Sequence, residues 1–395
     1  MIDSRSFADR FPSRFFAPDA ARKRFGESAL RYGDFLTVVD PPADAAIAAL
    51  RECSAGQAAH WIDAGGTKGA AAIVDAPRAL HDFFELNETL PVWVDDAALD
   101  RGGEVLFRTG PVGGLTLGLK SLVTGYASPG GNKPLVFSGR LREQAPHRLN
   151  ETSRFVHATS APGGLKRFAD GYRITLKVRL MHARVREMIL KSGRWNAKAW
   201  GAPINQSDMA ATALLFSIFL LDGVRQLGLR FQPNEVDDFL HLWRYSAHLM
   251  GVTPELQVSS EPDAHRLGEI VLATQGPPDQ DSRDLFAALM NAGIQASRNP
   301  RELELAKRRA HFAHAICREL IGKTLADDLG VEKNSWRLAM PAVKRIVRAT
   351  ERVRTSVPVV QSRAKSAGAR YWKHVVMIGL EGATSEFVLP DKLAG

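Results

Sequence analysis

Hydrophobic positions in this chain recur every three to four residues along most of its length, which predicts helix after helix. The predicted segments are 17–27, 42–59, 66–86, 95–108, 111–125, 138–158, 170–192, 205–228, 233–250, 258–275, 279–297, 300–328 and 337–355. Proline and glycine mark many of the joints, as at Pro41-Pro42, Gly110-Pro111, Pro129-Gly130-Gly131, Pro162-Gly163-Gly164 and Pro277-Pro278. Strand-like runs are short, the best being Val375-Val376-Met377-Ile378 and Phe387-Val388-Leu389. The pattern predicts an all-α fold. No boundary reads as a flexible linker, so the expectation is a single large helical domain over 35–395 with a less regular N-terminal extension, 1–34. Asn205 or Ser207 is placed to cap the helix that follows, with Asp208 in its first turn, and Asn234-Glu235 opens the next one after Pro233.

One helix stands out. In Ile174 to Ile189, the residues Ile174, Val178, Met181, Val185 and Ile189 form an apolar stripe, and His182 sits on its edge. Arg179 lies three residues before His182 and Arg186 four after it, so both are its neighbours on the helix surface. A lone histidine on such a face is most often a core residue hydrogen-bonded to a carbonyl. An imidazole on an apolar wall between two guanidinium groups also suits a flat iron cofactor with acidic edge groups. Haem fits that description, with His182 as metal ligand and Arg179 and Arg186 on the propionates.

Composition bounds these readings. The 395 residues are 45% hydrophobic and 24% charged, ordinary for a globular protein that buries a sizeable core. Cys53 and Cys317 are the two cysteines, and no CxxC spacing exists for zinc or an iron–sulfur cluster, which fits a reducing compartment. The start, Met1-Ile2-Asp3-Ser4-Arg5, carries no apolar leader or twin-arginine pair, so a cytoplasmic location is expected. The apolar run Ala210 to Leu221 is too short to span a bilayer and reads as a core helix. The net charge is +9, and the surplus is partly local: between Val343 and His374 nine Lys and Arg face Glu351 alone. That stretch is open to phosphates, acidic cofactor groups or the surface of an anionic membrane, or is a solvated basic face. No nucleic-acid-binding module is readable, so no nucleic acid partner is expected.

Upstream of His182, Arg148, Glu151, Thr152 and Phe155 share one helix face at the border of apolar and polar positions. A site would keep an acid–base carboxylate, a hydroxyl and a fixed charge there, although a surface Arg148–Glu151 pair has the same spacing. The stretch Arg194-Trp195-Asn196 to Asp208 reads as a structural connection. His241 and His248 are seven apart and can share a face, with packing as their expected role. His311, His314 and Cys317 form a weak metal-like spacing without carboxylate partners. GxGxxG after a strand, GxxxxGK[ST], HExxH, CxxCH and GxSxG are all absent, which removes support for Rossmann, P-loop, zincin, covalent-haem and serine-hydrolase chemistry.

Taken together, several segments resemble the latex clearing protein (rubber oxygenase) and MpaB-type oxygenase family. They are Pro91-Val92-Trp93-Val94-Asp95-Asp96, Gly125-Tyr126-Ala127, Ser138-Gly139-Arg140-Leu141, Arg148-Leu149-Asn150-Glu151-Thr152, Val178 to Arg186, Trp200-Gly201-Ala202-Pro203-Ile204-Asn205-Gln206-Ser207-Asp208, His241-Leu242-Trp243-Arg244 and Phe387-Val388-Leu389-Pro390. They run in family order from about residue 35 to the C-terminus, which makes 35–395 the expected catalytic domain. The resemblance implies a globin-like helical core around non-covalent haem b. It implies His182 as proximal iron ligand, Arg179 and Arg186 near the haem edge, and Arg148, Glu151 and Thr152 on the distal side. It further implies dioxygen and a lipophilic, isoprenoid-like substrate whose carbon–carbon double bond is oxygenated or cleaved. The rubber-cleaving members carry a lysine where this chain has Glu151, and a carboxylate cannot act as an amine ligand. With the expected cytoplasmic location, this points to a small molecule rather than polymer. Alternatives are a haem-binding sensor or carrier without turnover, and a haem-free helical protein docking on anionic membranes. A monomer and a homodimer are equally compatible with the sequence.

Overall fold

A computed structural model of the chain describes residues 10–137, 140–295 and 297–380, with side chains described for all of these except 140–148, 358 and 376–380. Among the described residues all regular structure is helical and no strand occurs. The N-terminal third holds α1 (Pro18–Phe25), α2 (Glu27–Asp34), α3 (Pro41–Ala49), α4 (Ala55–Lys68), α5 (Arg78–Glu88) and α6 (Asp96–Thr116). After a π-helical turn, Leu117–Ser121, come α7 (Leu122–Tyr126), α8 (Lys133–Phe137), α9 (Arg140–Ser160) and α10 (Asp170–Lys191). Then follow α11 (Ala197–Trp200), α12 (Gln206–Phe216), α13 (Ile218–Leu227), α14 (Pro233–Leu249) and α15 (Glu261–Thr274). The C-terminal part is α16 (Gln280–Gln295), α17 (Pro300–Ile321), α18 (Lys323–Asp328), α19 (Met340–Ser356) and α20 (Pro358–Leu380).

Two cores meet along α10. The larger is built from α6, α9 and α12 to α15, with Phe155, Ile174, Leu214, Leu221, Phe239 and Trp243 among its buried members. The other packs α3, α4 and α5 against α10 through Ile47, Trp61, Phe83, Phe84, Leu176 and Leu180. A third cluster closes α16, α17 and α18 over the π turn, with Leu119, Phe286, Ile316 and Leu329 buried.

Three expectations change. Residues from Phe11 onward are not an extension. Phe11, Phe15, Phe25, Leu30 and Tyr32 are buried in the larger core, and Arg14 reaches across to Asp208 at 2.6 Å. The segment 205–228 is not one helix, because Ser217 (φ −104°, ψ −97°) breaks it into α12 and α13. Gln206–Leu227 has the length and apolar content to cross a membrane, yet Met209, Leu214, Ile218, Leu221 and Val224 pack inside the protein, as a core helix does. Finally, Val375 to Ile378 lies in α20 and not in a strand. That helix is set by long-range packing: the bare backbone of Gly368 rests on the Phe107 carbonyl, where a Cβ would collide, and Trp372 is buried. Phe387 to Pro390 lies outside the described residues. The Gly110-Pro111 joint is a kink within α6, with Gly110 taking the left-handed φ of 50° that an L side chain resists.

Candidate functional site

The site grows from the α9–α10 hairpin. Gly164 and Gly171 both press bare backbone against the Ala158 carbonyl, and the Tyr172 N–H donates to the Gly164 carbonyl at 2.9 Å. This close turn returns the chain antiparallel. Arg148, Glu151 and Thr152 lie 6 to 10 residues before Ala158, and Lys177 to Met181 lie 6 to 10 residues after Gly171, so the count along the hairpin matches these two stretches. The two expected halves of the site thus lie on two helices that are in contact. Glu151 and Thr152 are half-buried. Arg148 lies on α9, and its side chain is outside the described residues.

Of the predicted stripe, Ile174 and Ile189 at its ends are buried, 3% and 0% exposed, and its middle is shallower. Leu176, Leu180 and Ala183 are exposed by 1% or less, whereas Val178, Met181, His182 and Val185 are all half-buried. The middle of this apolar strip, with an imidazole on its edge, is therefore incompletely covered. Val178 packs against the larger core, which holds an aromatic group. Phe155, one turn after Glu151 on α9, meets Phe216 at 5.9 Å and Trp243 at 6.1 Å, and Phe216 stacks on Trp243 at 5.1 Å.

The arginines require a correction. Arg179 was expected at the acidic edge of a cofactor. Instead its guanidinium forms a two-pronged pair with buried Asp40 at 2.7 and 2.8 Å, and donates to the Asn87 side chain at 3.0 Å and to the Leu249 carbonyl. Arg186, expected in the same role, donates to the carbonyls of Pro203 (3.0 Å) and Ile204 (2.9 Å) and pairs with Asp44. Ile204 is held at φ 53°, costly for a β-branched residue. Arg186 therefore pins a strained turn just before α12, which Asn205 caps by accepting from the Asp208 N–H at 2.9 Å. The reason is burial: an arginine sealed from water needs its donors satisfied by the protein. The His182 imidazole on its half-buried apolar strip is of the kind that could hold a haem iron. Arg179 and Arg186 do not fit the expected pairing with propionates.

The Trp200–Asp208 connection is structural, as expected. Gln206 donates to the Val39 and Gly251 carbonyls and accepts from the Thr253 N–H, and Ser207 donates to the Tyr32 carbonyl at 2.6 Å. The next helix, α14, is capped by Gln232 with Glu235 rather than opened by Asn234. Two other motifs meet in a cluster that their separation in sequence conceals. Trp93 packs edge-on against His241 (5.6 Å), Tyr245 (6.2 Å) and His248 (6.0 Å), and Arg244 lies over its ring at 3.9 Å. His241 Nε2 accepts from the Asp95 N–H at 3.0 Å, so that nitrogen carries no proton. Burial, joined by the charges of Arg179 and Arg244, pushes the His248 pKa down. His311 pairs with Glu332, His314 accepts from the Glu332 N–H, and Cys317 is buried with its thiol pushed up to about 12. That spacing is therefore not a metal centre. Asp222, Glu261 and His265 converge elsewhere, but Arg225 already pairs with both carboxylates.

Fold and site define a class: an all-α protein with a partly open apolar helix face, a histidine at its edge and a carboxylate on a helix in contact with it. Comparison with known proteins names it. Residues 106–353 match the model of the ER-bound oxygenase mpaB/B'/Rubber oxygenase catalytic domain, and the chain belongs to that family. It is 28% identical over 181 residues to a rubber oxygenase of Streptomyces sp. (strain K30), a match spanning 45% of this chain and 44% of that protein. It also resembles a solved structure of latex clearing protein in the closed state, with a TM-score of 0.66 and 22% identity, over 91% of this chain and 95% of that one. The structural likeness extends the shared all-α fold beyond the family-model match, to most of both chains.

Proposed function

We propose that this protein is a haem b-dependent oxygenase that uses dioxygen to oxygenate or cleave a carbon–carbon double bond of a lipophilic, isoprenoid-like small molecule. What supports the reading is the family match over residues 106–353, which spans the two touching helices that carry Glu151 and Thr152 on one and His182 on the other. His182 would hold the iron, and bound haem would supply dioxygen binding and activation. The protein's own part is different. The half-buried Glu151 carboxylate holds or passes a proton near an apolar surface, and Arg148 and the Thr152 hydroxyl offer hydrogen bonds that orient a polar oxygen species. Phe155, Phe216 and Trp243 exclude water and present rings to an unsaturated chain. A carboxylate at 151 supports a reaction other than polymer cleavage, because the rubber-cleaving pattern has an amine there.

The first test is the visible spectrum of the purified protein with a pyridine haemochrome assay, followed by oxygen uptake with short isoprenoid alkenes. The expected result is one haem b per chain, lost at least tenfold in His182→Ala. Glu151→Gln is expected to keep haem and lose turnover. Full haem retention in His182→Ala would overturn the ligand assignment. Haem retained without oxygen uptake on any alkene would make the protein a carrier or sensor.

A further inference from the structure

We propose that α19 is a docking face for an anionic membrane. The basic stretch read from sequence is sorted by the fold into paired and free-facing charges. Its one acid, Glu351, is buried and accepts from Arg354 through both oxygens at 2.7 Å. Arg345, Arg348, Arg352, Arg363, Arg370 and Lys373 are exposed. On the same helix Ile346 (64% exposed), Ala349 and Val353 (53%) follow one another at spacings of three and four, so an apolar stripe faces outward, with exposed Val357 just past the helix end. Leu338, 76% exposed, and half-exposed Trp336, which packs edge-on against Phe312, lie in the 3-10 turn just before the helix. Arg345 and Arg352 lie about a quarter turn from that stripe, along one border of it. The opposite side of α19 is fixed to the body by Met340, Val347 and Glu351.

An apolar ridge bordered by arginines, with a tryptophan near its end, is the surface that settles at a headgroup boundary: the apolar side chains enter the acyl edge and the guanidinium groups meet lipid phosphate. Charge decides the occupant. A second copy would bring the same arginines against one another, whereas an anionic bilayer neutralises them. The inference stands independently of haem and of the proposed reaction.

The test is cosedimentation of the full-length protein with vesicles of phosphatidylcholine alone and with 30% phosphatidylserine, at 0.1 and 0.5 M salt, alongside sedimentation equilibrium without lipid. Binding is expected to the anionic vesicles only, and to weaken at high salt. Ile346→Glu/Val353→Glu and Arg345→Gln/Arg352→Gln are each expected to weaken it about tenfold or more while retaining the wild-type circular dichroism spectrum. A pair that misfolds is replaced by Ile346→Ser/Val353→Ser, which makes a milder change on the same face. Equal binding to both vesicle types, or binding unchanged by the apolar substitutions, would overturn the proposal. So would a dimer that the Glu pair converts to monomer in a protein that leaves the vesicles untouched.

Discussion

The arginines of α10 and those of α19 are the same residue type on amphipathic helices, yet they do opposite things. Arg179 is buried with its charge answered by Asp40, and Arg186 with its charge answered by Asp44. Arg345 and Arg352 face outward beside exposed isoleucine and valine. A guanidinium inside a protein is a structural clamp whose value lies in leaving no partner uncompensated, while one outside is available to whatever anion arrives. The difference also explains why basic positions near His182 are poor witnesses for a cofactor's acidic edge.

Substitutions sharpen the contrast, beginning inside. Arg179→Ala leaves Asp40 buried and unpaired and is expected to cost about 3–5 kcal/mol in urea unfolding. Arg179→Leu combined with Asp40→Leu should recover most of that, and a single variant as stable as the parent would show the clamp to be idle. Glu351 stands next. Burial pushes its carboxyl pKa up, but the hydrogen bond from Arg354 and the charges of Arg354 and Arg108 outweigh this and hold it below the usual carboxylate range. Its stabilising contribution is therefore present above about pH 4.5 and lost as pH falls through the lower folded value. Glu351→Gln is expected to lower stability at pH 7 by about 1–3 kcal/mol and to flatten the acid limb of a stability–pH curve. An acid limb identical to the parent's would exclude Glu351 as its source.

The smallest effects are expected from His248 and the outer arginines. Burial and the two neighbouring arginines keep the folded His248 pKa below its unfolded value near 6.5. The unfolded chain then takes up the proton first, so stability is full above about pH 6.5 and declines as pH falls below it. His248→Gln should remove part of that slope between pH 7.5 and 5.5, with His241 supplying more in the same direction. Arg345→Gln and Arg352→Gln should change stability by less than about 0.5 kcal/mol at any pH, because neither guanidinium is buried.

Helix periodicity and the Pro–Gly joints made most elements legible in the chain, because both act within a few residues. What stayed hidden was set at a distance. Asp40 lies 139 residues from Arg179, and no local pattern announces the pair. The final helix α20 was missed because its valines favour extended structure, while Gly368 against Phe107 and the burial of Trp372 decide otherwise. In the candidate site, His182 and the Arg148–Glu151–Thr152 face were legible as helix faces. The close turn between their two helices depends on two glycines against the Ala158 carbonyl, and the meeting of Trp93 with His241 and His248 depends on a fold that joins distant segments.

The charge cluster beneath α19 has a mechanical meaning as well. Arg108 of α6 donates to Glu351 of α19 and to Glu235 of α14, and its ring-face neighbour is Phe231 at 4.3 Å. Helix α20, which continues from α19, packs along both α6 and α9. The basic ridge is thus bolted to the frame that carries Glu151, not strung from it on a tether. A protein mounted this way has no slack: a surface that seizes the ridge also sets the height and tilt at which the hairpin is held above it.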